Sequence, residues 1–183
     1  KISNLENEIL QTNHIGFRMG PRLNACGRIG NASIAVELLT TKSEKRANEI
    51  ASFIDEENNK RRKIQKDIHE LALKKVADEI DLKNHPAIVL ADDDWHPGVV
   101  GIVASKLSDA YFRPTIMFGC INGVAHGSAR SIPSFHILNA LEVCRDKLIS
   151  LGGHSQAAGL KIYKDKIEDF KELYGFFFKK INF

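Results

Sequence analysis

The chain has 183 residues, 43% of them hydrophobic and 27% charged, with a formal net charge of +3. That allows one good-sized core or a domain with an appendage, and the balance is that of a globular protein rather than a disordered one. No apolar run nears the ~20 residues of a membrane span, no basic-then-apolar leader opens the chain, and +3 alone is too small to call for nucleic acid, so a cytoplasmic protein without membrane contact is expected.

The leading part reads as helical. Residues 31–85 contain no Gly and no Pro, a long helix-compatible stretch. Apolar residues recur at helical spacing at Ala47, Ile50 and Ile54, then at Ile64, Ile68, Leu71 and Ile80. Between them Asp55–Lys63 has no apolar residue, which predicts a middle that is polar all round and bridges through solvent. Glu56–Lys60 and Glu57–Arg61 are favourable pairs four residues apart. One connector helix from about Ser43 to Ile80 is expected, or two helices broken near Asn58-Asn59. After His85-Pro86 the pattern changes. Ala87–Ala91 reads as a buried strand, Gly98–Phe112 as a helix, and Thr115–Cys120 and Val124–Ser128 as a hairpin around Asn122-Gly123. Phe135–Ile149 predicts an amphipathic helix with Ile137, Leu141, Cys144 and Leu148 inward. Ala158–Tyr163 predicts a last strand, and Ile167, Phe170, Tyr174, Phe177 and Ile181 a helical stripe read as core packing. The fold class is α/β: a mixed β-sheet flanked by helices, preceded by a long connector helix. Three parts are expected: 1–42, a helical segment with an arginine-rich motif; 43–84, the connector; and 85–183, the α/β domain. Because the chain begins at Lys1 rather than Met, it is expected to be a piece of something longer.

Charge is unevenly spread. No Asp or Glu occurs between Glu8 and Glu37, between Asp109 and Glu142, or between Asp146 and Asp165. These windows hold most of the glycines together with Arg18, Arg22, Arg28, Arg113, Arg130 and His154, a pattern that suits an anionic ligand. Cys26, Cys120 and Cys144 form no C-x-x-C pair and read as reduced, partly buried thiols.

Four segments are candidates for chemistry. In Gly16–Arg28, arginines separated by Gly and small residues let guanidinium forks and backbone N–H groups approach a phosphate together; an ordinary Gly-Pro turn before a helix is an equal alternative. Trp95–Ile102 falls between a strand and a helix, where free N–H groups form an anion site. There His96 is either a donor or proton shuttle, or a capping residue, and Trp95 a packed aromatic. In His126–Ser131, strand alternation puts Ser128 and Arg130 on one face as a phosphate clamp, unless they only mark a polar edge. In Gly152–Gly159, two glycines permit a tight turn with His154 at its tip. Asp92-Asp93-Asp94 reads as a strand-end turn, since adjacent side chains diverge and cannot converge on one ion.

In this order the four segments, GFRMGPRLNACGRIGNAS, WHPGVVGIVASKL, HGSARSI and GGHSQAAGL, resemble RecJ, a bacterial exonuclease family of the DHH phosphoesterase superfamily, from about Gly16 to Gly159. The last segment resembles the hallmark of the DHHA1 domain, the substrate-binding partner of the DHH domain. The resemblance implies a 5′ to 3′ single-stranded DNA exonuclease of repair and recombination, whose DHH domain binds two Mn²⁺ or Mg²⁺. That domain's aspartate motifs are not among these residues, so this chain alone is expected to be inactive and to hold no metal. Its partners would be single-stranded DNA and the DHH domain of the same protein. Carried over by motif, Arg22, Asn24 and Arg28 match the arginine-rich motif near the scissile region. Ser128 and Arg130 match a pair on the 5′ phosphate, His154 the glycine-loop histidine, and His96 a position at the active-site groove. Cys26 stands where many relatives have a small residue such as Ala. The alternatives are another DHH-family phosphoesterase, acting on oligoribonucleotides or pAp, and a non-catalytic nucleic-acid-binding DHHA1 module.

Overall fold

The structure, a computed structural model, describes residues 2, 3, 5 and 8–180, apart from the side chains of 176–180. Two compact units divide the chain, 1–64 and 65–183.

In the first unit, helix α1 (Thr12–His14) runs through a π-helical segment (Ile15–Met19) into α2 (Gly20–Ile29), followed by α3 (Ser33–Thr40). Helix α4 (Glu44–Glu79) begins here and continues into the second unit. It is one unbroken helix, starting one residue after the expected Ser43 and ending one before Ile80. Ile50 and Ile54 pack with Cys26 of α2 in a small core, flanked by Leu23, Ile34 and Leu38.

The middle of α4 departs from expectation. Glu57, Asn58 and Arg61 are buried, not solvated. Their face lies under α2, where Glu57 approaches Gly30 and raises the pKa of the Cys26 thiol beyond what burial does. Local bonds make that burial tolerable: Lys60 donates to Glu57 at 2.6 Å, and Arg61 to Asn58 Oδ1 at 3.1 Å. Both links run three residues along the helix rather than following the expected Glu56–Lys60 and Glu57–Arg61 spacing. Asn58 Nδ2 keeps no partner, a deficit of about 1–3 kcal/mol for a buried donor.

The second unit is built on a five-stranded mixed sheet in the order β1-β2-β3-β5-β4. Strand β1 (Ile88–Asp92) pairs parallel with β2 (Thr115–Ile121), and all other pairings are antiparallel: β2 with β3 (Val124–Arg130), β3 with β5 (Ala157–Tyr163), and β5 with β4 (Ser150–Gly153). The parallel pair needs a crossover, supplied by α5 (Pro97–Tyr111). The hairpin turn is Asn122-Gly123, both at positive φ (49° and 78°), as a two-residue hairpin requires.

Alternation sorts the side chains into two layers. Ile116, Phe118, Ala125, Ala129, Ala158, Leu160 and Ile162 face a core closed by α6 (Ile137–Glu142) and α7 (Ile167–Lys180) through Ile137, Leu141, Ile167, Phe170 and Tyr174. Phe170 meets Phe118 edge-on and stacks on Tyr174. Phe177's side chain and Ile181, expected in that stripe, lie outside the described residues. On the other face, α5 packs over β2 and β3 with Val99, Val100, Val103, Ala104 and Leu107 buried. From α4 the unit buries Ile68, Ala72 and Val76 while Leu71, expected inward, is half exposed; a repeat of four follows one ridge of the helix, which Leu71 misses.

The helix expected over Phe135–Ile149 is also shorter. It stops at Glu142, and the chain tightens into a 3₁₀ turn (Arg145–Lys147). Cys144 and Leu148 still reach the core, where burial pushes the Cys144 thiol up to about 11. The chain then enters the sheet as β4, with Ile149 N–H donating to Lys161 O at 2.8 Å. Backbone pairing along β5 is what competes successfully with continued helix.

Candidate nucleic-acid interface

In the second unit Ser128 and Arg130, the residues expected as a clamp, lie where alternation puts them. Ser128 and Arg130 share the sheet face under α5, two residues apart on β3. Arg130 Nη1 donates to Ser128 Oγ at 2.9 Å and to Ala129 O at 2.8 Å. The guanidinium is thus fixed along one edge, a planar donor array suited to phosphate. The pair lies against Gly101 in the second turn of α5. A Cβ there would lie 2.6 Å from Ser128 Oγ and 2.9 Å from Arg130 Nη2. Gly101 therefore leaves the space that Ser128 and Arg130 occupy, and it belongs to a different motif from that pair. Glycine costs roughly 0.5–1 kcal/mol inside a helix, so the space it leaves for these side chains is the reason it stands there.

His154 lies between β4 and β5, exposed at the turn that Gly153 (φ +154°) opens. Its N–H donates to Ala157 O at 2.8 Å, and its Nδ1 accepts from Gln156 N–H at 3.3 Å. The turn is tied down further: Ser131 N–H donates to Gln156 O and Ile137 N–H to Ser155 O. Ala157 pairs with Arg130 across the strands, so the His154 turn and the clamp arginine flank the same end of the sheet. Beside them the face continues over Gly159 and Gly152, paired and exposed, where a Cβ would meet nothing. A bare backbone floor bordered by Ser128, Arg130 and His154 is open to a ligand lying flat.

His96 is the N-cap of α5: its Nδ1 accepts from Gly98 N–H at 3.1 Å, while Val99 and Val100 N–H both donate to His96 O. The first amides of the helix are thereby satisfied within the chain. The expected array of free N–H groups is absent, and of the roles open to His96 the structure shows the capping one. Trp95 beside it is buried, with Lys75 Nζ 6.0 Å from its ring centroid.

Arg22, Asn24 and Arg28 belong to the first unit. Their segment is helical throughout, π then α, so its amides are spent on the helix and do not form the expected phosphate cradle. Arg22 is committed to Asp55 at 2.7 Å and to Arg18 O at 2.6 Å. Asn24 and Arg28 are exposed one helical turn apart. Two other arginines of the acid-free windows serve the fold: Arg18 pairs with Glu8, and Arg113 donates to Leu82 O.

The carboxylates of Asp92-Asp93-Asp94 diverge. Asp92 meets Lys75 at 3.3 Å and accepts from Asp94 N–H, while Asp93 is held by Lys164, which keeps its carboxyl below the usual pKa. Among the described residues no group of three or more His, Cys, Asp or Glu is placed to hold a metal ion. The described residues do not fit a two-metal centre.

Comparison with known proteins places this arrangement. Residues 84–180, more than half of the chain, match the DHHA1 domain model. The chain belongs to the DHHA1 domain family. It is 43% identical over 159 residues to the single-stranded-DNA-specific exonuclease RecJ of Bacillus subtilis, covering 86% of this chain and 20% of that protein. To RecJ of Haemophilus influenzae it is 38% identical over 181 residues, 95% of this chain and 32% of the relative. The crystal structure of RecJ from Thermus thermophilus in complex with Mg²⁺ matches with a TM-score of 0.82 at 29% identity, over 95% of this chain and 27% of that one. The DHHA1 chain thus spans a fifth to a third of the curated relatives it matches, and the resemblance read from the four segments holds. Sequence reasoning missed Gly101 as the seat of Ser128 and Arg130. The signal for it, a glycine inside a helical pattern, becomes specific only once α5 is known to cross β3.

Proposed function

We propose that this chain is the substrate-positioning part of a RecJ-type 5′ to 3′ single-stranded DNA exonuclease, with Ser128 and Arg130 holding a strand phosphate and His154 closing on it from the β4–β5 turn. The observation that carries this reading is the fixed geometry of Arg130. Its guanidinium is oriented by Ser128 Oγ and Ala129 O before any ligand arrives, and a cation already held in place costs little to align on a phosphate. The resemblance assigns Mn²⁺ or Mg²⁺ to a DHH domain outside these residues. What this chain contributes is placement: it fixes a phosphate and offsets its charge, and no step runs through a metal held here. Asn24 and Arg28 on α2 are proposed as further DNA contacts. Arg22 is proposed to act through its bond to Asp55, positioning α2, and His96 by holding the start of α5.

In the full-length protein, Arg130→Ala and His154→Ala should each lower the rate on 5′-phosphorylated single-stranded DNA by about 10²-fold, as for loss of an aligned donor, with an unchanged melting temperature for the exposed His154. Wild-type rates in both variants would refute the clamp. Faster hydrolysis of ribodinucleotides than of long single-stranded DNA would favour the oligoribonuclease reading instead.

A further inference from the structure

Strands β2 to β5 contain no Asp or Glu. The face that carries the clamp therefore has only neutral or basic side chains on four adjacent strands. The register extends this face one repeat beyond Ser128: His126 precedes it by two residues on β3, Lys161 pairs with His126 on β5, and Ser150 pairs with Lys161 on β4. Side chains two apart share a face, whereas Ala125, Leu160 and Ile162 point into the core. Paired residues have Cβ atoms roughly 4.5–5.5 Å apart, within reach of one oxyanion between an imidazole and an ammonium. Lys161 is exposed and His126 half-buried, and among the described residues neither side chain makes a hydrogen bond or ion pair. Lys164, three residues on, is instead taken up by Asp93.

We propose that Lys161 and His126 form a second phosphate subsite, taking the phosphodiester next to the group held by Ser128 and Arg130. One strand repeat of two residues is roughly 6.7 Å, the scale on which phosphates follow one another along an extended single strand. The floor between the two positions is the Gly159–Gly152 pair, which lets a sugar-phosphate backbone lie against main chain. This subsite rests on the clamp reading, because it is defined by distance from Arg130.

The test is binding to the full-length protein in EDTA, with thymidine 5′-phosphate and the 5′-phosphorylated thymidine dinucleotide as probes. Lys161→Ala and His126→Ala should weaken the dinucleotide several-fold and leave the mononucleotide unchanged, and Lys161→Arg should retain dinucleotide binding. The salt dependence of binding to longer strands should fall by about one counterion in Lys161→Ala. Equal losses on both probes, or none on either, would overturn the subsite. Arg130→Ala separates the two readings: it should weaken both probes, and if it weakens neither, the clamp fails rather than the subsite alone.

Discussion

Gly101 supplies the sharpest test at the scale of single residues. Alanine there gains about 1 kcal/mol of helix propensity and loses about 1–3 kcal/mol to overpacking against Ser128 and Arg130. Gly101→Ala should therefore be mildly destabilised in chemical denaturation yet clearly weakened in single-stranded DNA binding, since relief comes from pushing the clamp aside. Its partner in a double-mutant cycle is Ser128→Ala, which removes the oxygen at the 2.6 Å contact. Because the contact with Arg130 remains, the double variant should lose less than the sum of the two single losses; strictly additive losses would show that Gly101 does not act through Ser128. That Ser128 and Arg130 share a face was legible in the sequence because strand alternation is a local rule. His96 was legible only as a choice between roles, and its bond to Gly98 shows the capping one. The bond from Arg22 to Asp55 was not legible, because Asp55 lies 33 residues away in the chain and no local pattern announces that pairing.

Elements were readable where backbone chemistry is decisive. Helix α4 followed from the absence of Gly and Pro, and the β2–β3 hairpin from Asn122-Gly123. Strand β4 was not readable. Ser150–Gly153 has two glycines and no alternation, and it becomes a strand only because β5 offers an edge to pair with. The same pairing yields a prediction about the floor. Gly159 has no positive φ and open space at its Cβ, so the fold does not require glycine there. Gly159→Ala should stabilise the unit by about 0.5–1 kcal/mol, the usual difference in a strand, while lowering the proposed exonuclease activity in the full-length protein. Thermal melts and rates measured together check this, and a stabilised variant with undiminished activity would mean that no ligand lies on β5.

For the molecule as a whole, the division of labour is the main expectation. Among the described residues no group of three or more His, Cys, Asp or Glu is placed to hold a metal ion; on the proposed function the isolated chain should show no metal-dependent digestion of single-stranded DNA, whereas a form carrying the DHH domain should. Digestion by the pure chain, with either Mg²⁺ or Mn²⁺ added, would contradict that division. The seat beneath the clamp also bears on how such a chain can change over time. Gly101 and the Ser128–Arg130 pair lie in separate stretches of sequence but fill one space. Because they share that space, any change of size at 101 alters the room left for 128 and 130, so a segment exchanged at one stretch should fit best when its counterpart is exchanged with it.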